Sequence, residues 1–242
     1  MQSRTLDPLD PFLGILMLDT TFPRIRGDIG NPQTFCFPVQ YQRVTGATPG
    51  RVVIDSDKSL IKPFIEAGQQ LICKGAVALA TSCGFLALFH QTLVEALPVP
   101  VFSSSLLQVH LARTLLKADQ KVGILTASKP SLSRDHLAAI GIAEIPMVIQ
   151  GMEHSPEFTR VFIHGKTSLD VSICTKEMES AALELVTHHP EVGPIVLECT
   201  NMPPYAHAIR RLTKRPVFDI TTLLNTAWSS LNSLPNSSET RP

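Results

Sequence analysis

Two cysteines stand at matching places in the chain, and their type and spacing indicate proton-transfer chemistry. Cys83 and Cys199 each end a short apolar run, and each lies 17 residues before an identical Pro-Val-Phe, at residues 100–102 and 216–218. A Gly-Ile-Leu sequence opens an apolar run 69 residues before the first cysteine and 76 before the second. The chain therefore resembles two copies of one α/β unit. Two thiols facing each other across a pseudo-symmetric cleft could take a proton from one side of a carbon and deliver one to the other.

Both thiols are expected where a strand meets a helix. Gly84 opens an apolar helical pattern, and Pro203 and Pro204 lead into another, since proline is tolerated in a first helical turn. There the backbone N–H groups and the helix dipole lower the pKa of a thiol toward neutrality and can also hold a carboxylate. A lone buried cysteine is usually a packing residue, but the equivalence of these two favours function. The remaining cysteines are expected to be core or neutral residues: Cys36, Cys73 and Cys174.

Apolar runs alternate with helical patterns along the chain, which predicts parallel sheets covered by helices. The predicted strands are residues 14–18, 34–42, 76–80, 99–103, 121–126, 145–150, 194–198 and 216–220. The predicted helices are residues 60–73, 85–96, 106–117, 131–140, 171–188, 205–212 and 221–231. We predict an α/β fold of two pseudo-symmetric doubly wound parallel-sheet domains with the active site in the cleft between them. The predicted domains are residues 1–103 plus 217–242, with Cys83, and residues 104–216, with Cys199.

A long irregular segment follows the first predicted strand. Residues 19–32 contain two prolines, two glycines and no helical period. Connections in α/β units usually take ~2–6 residues, and ligands bind at the carboxyl ends of the strands. We interpret the segment as an active-site loop that carries Arg24, Arg26 and Asp28. The alternative is a surface connection with solvated charges.

Composition excludes several classes of function. Twenty-one basic residues balance 21 acidic ones, so no net field attracts nucleic acid or an anionic membrane. The uncharged, largely apolar stretch at residues 75–89 is 15 residues long, short of the roughly 20 that a membrane span needs. Five cysteines without framework spacing indicate free thiols in a reducing cytoplasm. Metal-binding spacings and nucleotide-binding glycine motifs are absent from the sequence, so we expect no cofactor.

At these residues the chain resembles the aspartate/glutamate racemase superfamily over nearly its whole length. The resemblance implies two cysteines, Cys83 and Cys199, that act without metal or pyridoxal phosphate. Thr200 matches the threonine that follows the second family cysteine, and Asp19 with Thr20 resembles the family's Asp-Ser. Amino-acid racemases typically have Cys-Asn-Thr at the first site and often Cys-Thr-His at the second. Here the two sites read Cys83-Gly84-Phe85 and Cys199-Thr200-Asn201. A branch that includes algal-type dimethylsulfoniopropionate lyase is resembled by longer strings: Ser82-Cys83-Gly84-Phe85, Phe102-Ser103-Ser104-Ser105-Leu106, and Glu198-Cys199-Thr200 with Pro203-Pro204-Tyr205.

The resemblance leads to three hypotheses for function. The first is a cofactor-independent racemase that acts on a small amino acid or related carboxylate by proton transfer at Cα. The second is a lyase of the same superfamily, acting by β-elimination, or a decarboxylase or cis–trans isomerase. The third is a non-catalytic protein that binds small carboxylates. We expect a cytoplasmic homo-oligomer, a dimer or tetramer, with substrate-binding residues Asp19, Thr20, Arg24, Ser82, Gly84, Phe85, Thr200 and Asn201.

Overall fold

A computed structural model describes residues 11–231 and contains two four-stranded parallel sheets, which confirms the predicted α/β class. The first sheet has the order β2-β1-β3-β4, with β1 Phe12–Met17, β2 Val39–Arg43, β3 Ala76–Thr81 and β4 Val101–Phe102. The second has the order β6-β5-β7-β8, with β5 Lys121–Thr126, β6 Met147–Gly151, β7 Val192–Leu197 and β8 Val217–Phe218. The identical order shows the internal repeat that the two cysteines indicated.

Eight α-helices cover the sheets in the described part of the chain. They are α1 Ile61–Cys73, α2 His90–Ala96, α3 Val109–Thr114, α4 Arg134–Ala139, α5 Pro156–Phe158, α6 Val171–His188, α7 Ala206–Thr213 and α8 Ile220–Leu231. None of the helices within residues 11–231 is long and apolar enough to cross a membrane.

The strand order places the functional loops together. In the first sheet the chain runs from β1 outward to β2, then crosses to β3 on the other side of β1. A reversal of this kind leaves a crevice at the carboxyl ends of the two central strands. Cys83 follows β3, and the segment 19–32 follows β1. The second sheet repeats this arrangement with β5 and β7, and Cys199 follows β7.

The first sheet is buried on both faces, which explains its nearly continuous apolar strands. Leu13 and Ile15 of β1 belong to one buried cluster with Trp228 of α8, whereas Leu16 belongs to a second cluster with Leu71 of α1. Helix α8 therefore packs on the first sheet. The second cluster continues into the other sheet, so the core runs across both repeats.

Several boundaries differ from those predicted. The strand expected at 34–42 begins at Val39, because residues 32–38 are held in turns that include Pro32 and Pro38. The helix expected from residue 85 begins as a 3₁₀ segment, Gly84–Phe89, and becomes α-helical only at His90. Two π-helical turns, Gly50–Ile54 and Thr159–Ile163, lie at matching places after β2 and β6 and have no periodic sequence pattern.

The predicted domain boundary is displaced by two residues. Val217 and Phe218 were assigned to the first domain, but they pair with Ile195 and Val196 of β7 in the second sheet. The ladder of hydrogen bonds therefore carries the second sheet past residue 216. The ends of the predicted first domain, residues 1–10 and 232–242, lie outside the described residues.

The packing of α8 predicts the effect of truncating its aromatic residue. Trp228 is buried and stacks on Phe37, with ring centroids 4.7 Å apart. Trp228→Ala should lower the free energy of unfolding by about 3 kcal/mol, because it removes buried apolar area and leaves a cavity. Equilibrium unfolding in urea measures this loss. The control Leu111→Ala, at an exposed position of α3, should change it by less than ~0.5 kcal/mol, and an equally small effect at Trp228 would contradict the packing.

Candidate active site

The two cysteines line one buried cavity between the repeats. Cys83 is the N-cap residue of the 3₁₀ segment Gly84–Phe89, and the backbone N–H groups of Phe85 and Leu86 lower the pKa of its thiol. The backbone N–H of Asn201 acts in the same direction on the Cys199 thiol. Both cysteines are less than a tenth exposed. The structure therefore brings together the two thiols that sequence spacing paired.

The cavity between the thiols is small and mostly apolar. Its volume is about 20 Å³, room for one water molecule. The two π-helical turns supply part of its wall through Val53 on one side and Phe162 on the other. The full lining comprises Leu18, Phe22, Arg24, Pro49, Val53, Ser82, Cys83, Phe85, Ala127, Phe162, Ile163, Cys199 and Asn201. Any organic substrate therefore requires a wider form of the site, in which these wall segments move apart.

The loop 19–32 contributes Arg24 to this cavity. Its guanidinium donates to Asp28 at 2.7 Å and to Thr20 Oγ1 at 3.0 Å, and it lies 4.6 Å above the Phe22 ring. Arg24 also lines an open outer chamber next to the thiol cavity, together with Thr20. Arg26 is exposed. Of the two candidate arginines, the structure thus places only Arg24 at the cavity.

A chain of hydrogen bonds connects this loop to Cys199. Asp28 is almost fully buried and accepts from Arg24, from the Gly30 N–H and from Asn201 Nδ2 at 2.6 Å. Because the Asn201 amide nitrogen donates to Asp28, its Oδ1 faces the Cys199 sulfur 3.4 Å away. An amide oxygen only accepts hydrogen bonds. The geometry therefore requires Cys199 to be a protonated thiol.

Three further predicted residues occupy different positions. Thr200 Oγ1 donates to the Ser82 carbonyl at 2.6 Å and so joins the two cysteine loops. Ser82 Oγ accepts from the Leu18 N–H at 2.8 Å. Asp19 accepts from the Gly46 N–H at 2.9 Å and is not among the residues that line the cavity. The structure thus gives Asp19 a contact with the turn after β2, whereas Ser82 and Thr200 hold the thiol loops together.

The sequence analysis missed Glu198, a buried carboxyl group beside the thiols. Its Oε2 accepts from Thr126 Oγ1 at 2.9 Å and from the Ala127 N–H at 3.2 Å, whereas Oε1 has no hydrogen-bond partner in the protein. A Cβ atom on Gly84 would overlap both Oε1 and the Glu198 carbonyl oxygen. Glycine at position 84, where amino-acid racemases have a polar side chain, therefore makes room for this carboxyl.

Burial overturns the expected pKa of the thiols. The sequence predicted values lowered toward neutrality, but burial raises the pKa of both Cys83 and Cys199, and the Glu198 carboxylate raises them further. For Cys83 the N–H groups of Phe85 and Leu86 and the charge of Arg24 act in the opposite direction and offset only part of this effect. Desolvation of the thiolate therefore outweighs the helix N-terminus. Burial also raises the pKa of Glu198 to about 7.

Within residues 11–231, no three histidine, cysteine, aspartate or glutamate side chains gather in a way that could hold a metal ion. The expectation of a cofactor-free site stays a prediction. Cys36 and Cys73 are exposed, and Cys174 is buried in α6, away from the residues of the cavity.

Comparison with known proteins identifies the family. Residues 48–227 match the family described as Asp/Glu/Hydantoin racemase, and the matched range includes both cysteines. The chain belongs to this family. It is therefore an enzyme of the racemase superfamily, as the resemblance at the two cysteines predicted.

The most similar curated relatives include lyases. Dimethylsulfoniopropionate lyase 7 of Emiliania huxleyi is 31% identical over 93% of this chain and 68% of that protein. Lyase 3 of the same alga is 30% identical over 93% of this chain and 61% of its own length. The lyase of Durusdinium sp. clade D is 28% identical over 86% of this chain and 70% of its own length. The chain spans only about two thirds of the length of these relatives.

Solved structures confirm the fold. Unliganded arylmalonate decarboxylase matches with a TM-score of 0.59 at 13% identity over 96% of each chain. Aspartate racemase of Picrophilus torridus matches with a TM-score of 0.59 at 14% identity over 95% of this chain and 97% of that one. At these identities the likeness concerns the two-domain fold alone.

The buried network predicts a large effect of neutralising its central carboxylate. Asp28→Asn should lower the free energy of unfolding by about 3 kcal/mol, because Arg24 loses its partner while only about a tenth exposed. Urea unfolding at neutral pH measures the loss. A matched control is Asp57→Asn, which breaks the half-exposed pair with Arg51 and should cost much less. Equal losses in the two variants would contradict a buried network.

Glu198→Gln should change how stability depends on pH. The pKa of Glu198 is raised from 4.5 to about 7, so the folded chain holds this proton more tightly than the unfolded chain. The resulting stabilisation is fully present below pH 4.5 and is lost as pH rises through 7. Relative to wild type, the variant should therefore gain about 2 to 3 kcal/mol of stability between pH 5 and pH 8. Urea unfolding at both pH values tests this, and a pH-independent difference would contradict it.

Proposed function

We propose that the chain is a cofactor-independent lyase that removes a proton next to a carboxylate and expels a leaving group from the neighbouring carbon. The proposed substrate is dimethylsulfoniopropionate or a close analogue. The observation that carries the proposal is the pair of buried thiols in one cavity, one of them fixed as a proton donor. The similarity to algal dimethylsulfoniopropionate lyases supports the choice of reaction.

The two thiols have different roles in this proposal. Cys83 acts as the base, because two backbone N–H groups and Arg24 are placed to stabilise its thiolate. Cys199 stays protonated, because its S–H group donates to Asn201. The thiolate takes the proton from the α-carbon, the C–H electron pair forms the new C=C bond, and the sulfide leaves with the electrons of its C–S bond. The products are dimethyl sulfide and acrylate.

The cavity wall suits a methylated sulfonium better than an ammonium group. An ammonium needs hydrogen-bond acceptors, whereas a sulfonium has no N–H groups and is attracted by aromatic faces and nearby anions. The wall supplies the rings of Phe22, Phe85 and Phe162, and the buried carboxyls of Asp28 and Glu198 lie close by. Gly84 contributes no side chain where racemases have asparagine. The site therefore favours the lyase over the racemase.

Racemisation is the second candidate, because the family and the fold include racemases. It would use the same thiols, with Cys199 delivering a proton to the face opposite Cys83. A non-catalytic binding protein is the third hypothesis, but binding alone does not require two thiols in one cavity.

One experiment separates these functions. The protein is incubated in D₂O with dimethylsulfoniopropionate and, separately, with a panel of amino acids. We expect release of dimethyl sulfide and acrylate with no deuterium at Cα of any amino acid. Cys83→Ala and Cys199→Ala should each lower the rate by about a thousandfold, whereas the control Cys174→Ala, at a buried thiol outside the cavity, should keep most of it.

Deuterium at Cα of an amino acid, with loss of optical rotation and no acrylate, would contradict the lyase hypothesis and support the racemase hypothesis. Binding of either substrate without turnover would contradict both enzymatic hypotheses and support a non-catalytic binding protein. Full lyase activity in the Cys83→Ala variant would exclude the assigned base.

A further inference from the structure

Glu198 is the ionisable group of the thiol site to which the two-cysteine chemistry gives no role. It is fully buried at the end of β7, next to Cys199, and its Oε1 lies against Gly84, the residue after Cys83. That oxygen has no partner in the protein, although a buried oxygen without a hydrogen bond is costly. Its charge has the largest electrostatic influence on both thiols. A carboxyl in this position is placed to exchange a proton.

The internal repeat shows what is special about this position. The N–H groups of Ser82 and Glu198 donate to equivalent carbonyls, those of Leu16 and Leu125, so the two residues are structural counterparts. Ser82 Oγ accepts from the N–H of Leu18, and Glu198 Oε2 accepts from the N–H of the matching residue in the second repeat. A serine would thus satisfy the backbone in both repeats. The carboxyl adds one oxygen that this backbone contact does not need.

Two counterpart residues complete the asymmetry. Thr200 reaches across to the Ser82 carbonyl with its hydroxyl group. Its counterpart Gly84 has no side chain and lies against the Glu198 carbonyl and Oε1. A polar tether in one repeat is therefore replaced in the other by space for a carboxyl group. The second repeat brings an acid to the site where the first has only a hydroxyl.

We propose that Glu198 accepts the proton that Cys83 must lose in each turnover, and so regenerates the thiolate base inside the closed site. The inference rests on the proposed elimination. Elimination releases one proton per substrate, whereas racemisation returns the proton it takes. A lyase with a buried base therefore needs a proton acceptor that a racemase does not need.

The proton balance is closed by three steps. Cys83 S–H gives its proton to the Glu198 carboxylate through a water molecule, because no hydrogen bond joins the two groups directly and the cavity has room for one water. This leaves a thiolate and a neutral carboxylic acid. The thiolate then takes the α-proton of the substrate, acrylate and dimethyl sulfide form, and Cys83 is a thiol again. Glu198 loses its proton to solvent when the site opens, so that one proton leaves for each substrate consumed. Its pKa of about 7 suits release of this proton to solvent near neutral pH.

Few other charged groups surround this pair. Among the described residues, the Glu198 charge acts on both thiols, the Arg24 charge acts on Cys83 and the Asp28 charge acts on Cys199. His136 of α4 touches the Phe85 ring on the element that carries Cys83, and burial lowers its pKa. Arg24 is paired with Asp28 and His136 is neutral near pH 7. Glu198 is therefore the group whose ionisation changes near that pH.

A substrate-free experiment tests the coupling of Glu198 to Cys83. Alkylation of Cys83 by iodoacetamide is followed by peptide mass spectrometry from pH 5 to pH 10. The proteins compared are wild type, Glu198→Gln and the control Glu157→Gln. The control neutralises a buried carboxyl outside the cavity. In wild type and control the logarithm of the alkylation rate should rise to about pH 7 and then flatten. The reason is that Glu198 becomes ionised there, and its charge raises the pKa of the Cys83 thiol. In Glu198→Gln the rise should continue, which gives about tenfold faster alkylation at pH 9. Identical profiles would overturn the inference.

A kinetic experiment tests the acceptor role itself. With dimethylsulfoniopropionate, Glu198→Ala should lower kcat by about a hundredfold and leave KM within about threefold. Added formate should raise kcat of Glu198→Ala at least about tenfold, because a small carboxylate can replace the missing one. It should leave kcat of the control Glu157→Ala unchanged. A changed KM with an unchanged kcat, or a loss that formate does not repair, would overturn the acceptor role.

The two experiments separate this inference from the proposed function. If the wild-type protein does not turn over dimethylsulfoniopropionate, the elimination is wrong, and the alkylation profiles alone decide whether Glu198 and Cys83 share a proton. If Glu198→Ala does not fold, the isosteric Glu198→Gln variant takes its place in the kinetic comparison, with a lowered kcat expected and wild-type kcat as the contradicting result.

Discussion

The removal of two thiols from water is the constraint on which the rest of this site depends. Cys83 and Cys199 lie at the ends of equivalent strands, and packing the two repeats together buries both in one cavity. Burial strongly disfavours the thiolate, so every polar contact around the sulfurs decides which of them can lose its proton. The N–H groups of Phe85 and Leu86 and the charge of Arg24 act at Cys83, whereas Asn201 holds the proton on Cys199.

A symmetric fold therefore produces a chemically asymmetric site. The asymmetry begins in the loop 19–32, where Asp28 of the first repeat accepts from Asn201 of the second and so fixes the orientation of its amide. It is extended by Glu198, which stands where the first repeat has Ser82. A racemase benefits from two interchangeable acids and bases, whereas an elimination needs one base and an exit for one proton. The differences between the repeats match the second requirement.

The fold and the two catalytic candidates were predictable, because apolar runs and the repeated Pro-Val-Phe spacing are local features of the sequence. Glu198 was not, because a glutamate at the end of a strand usually faces solvent, and its contact with Gly84 joins segments more than a hundred residues apart. The raised thiol pKa was also missed, since the degree of burial depends on how the repeats pack. The π-helical turns at Gly50–Ile54 and Thr159–Ile163 have no periodic pattern that would predict them.

The central claim is that the two thiols are not equivalent, with Cys199 held as a hydrogen-bonded donor and Cys83 free to become the base. Infrared spectroscopy of the S–H stretching band, compared between wild type and the single variants Cys83→Ser and Cys199→Ser, tests this most directly. We expect a band from Cys199 that is shifted by its bond to Asn201, that persists at neutral and mildly alkaline pH, and that loses this shift in Asn201→Ala. Loss of the Cys199 band at neutral pH, or indistinguishable bands from the two thiols, would contradict the account.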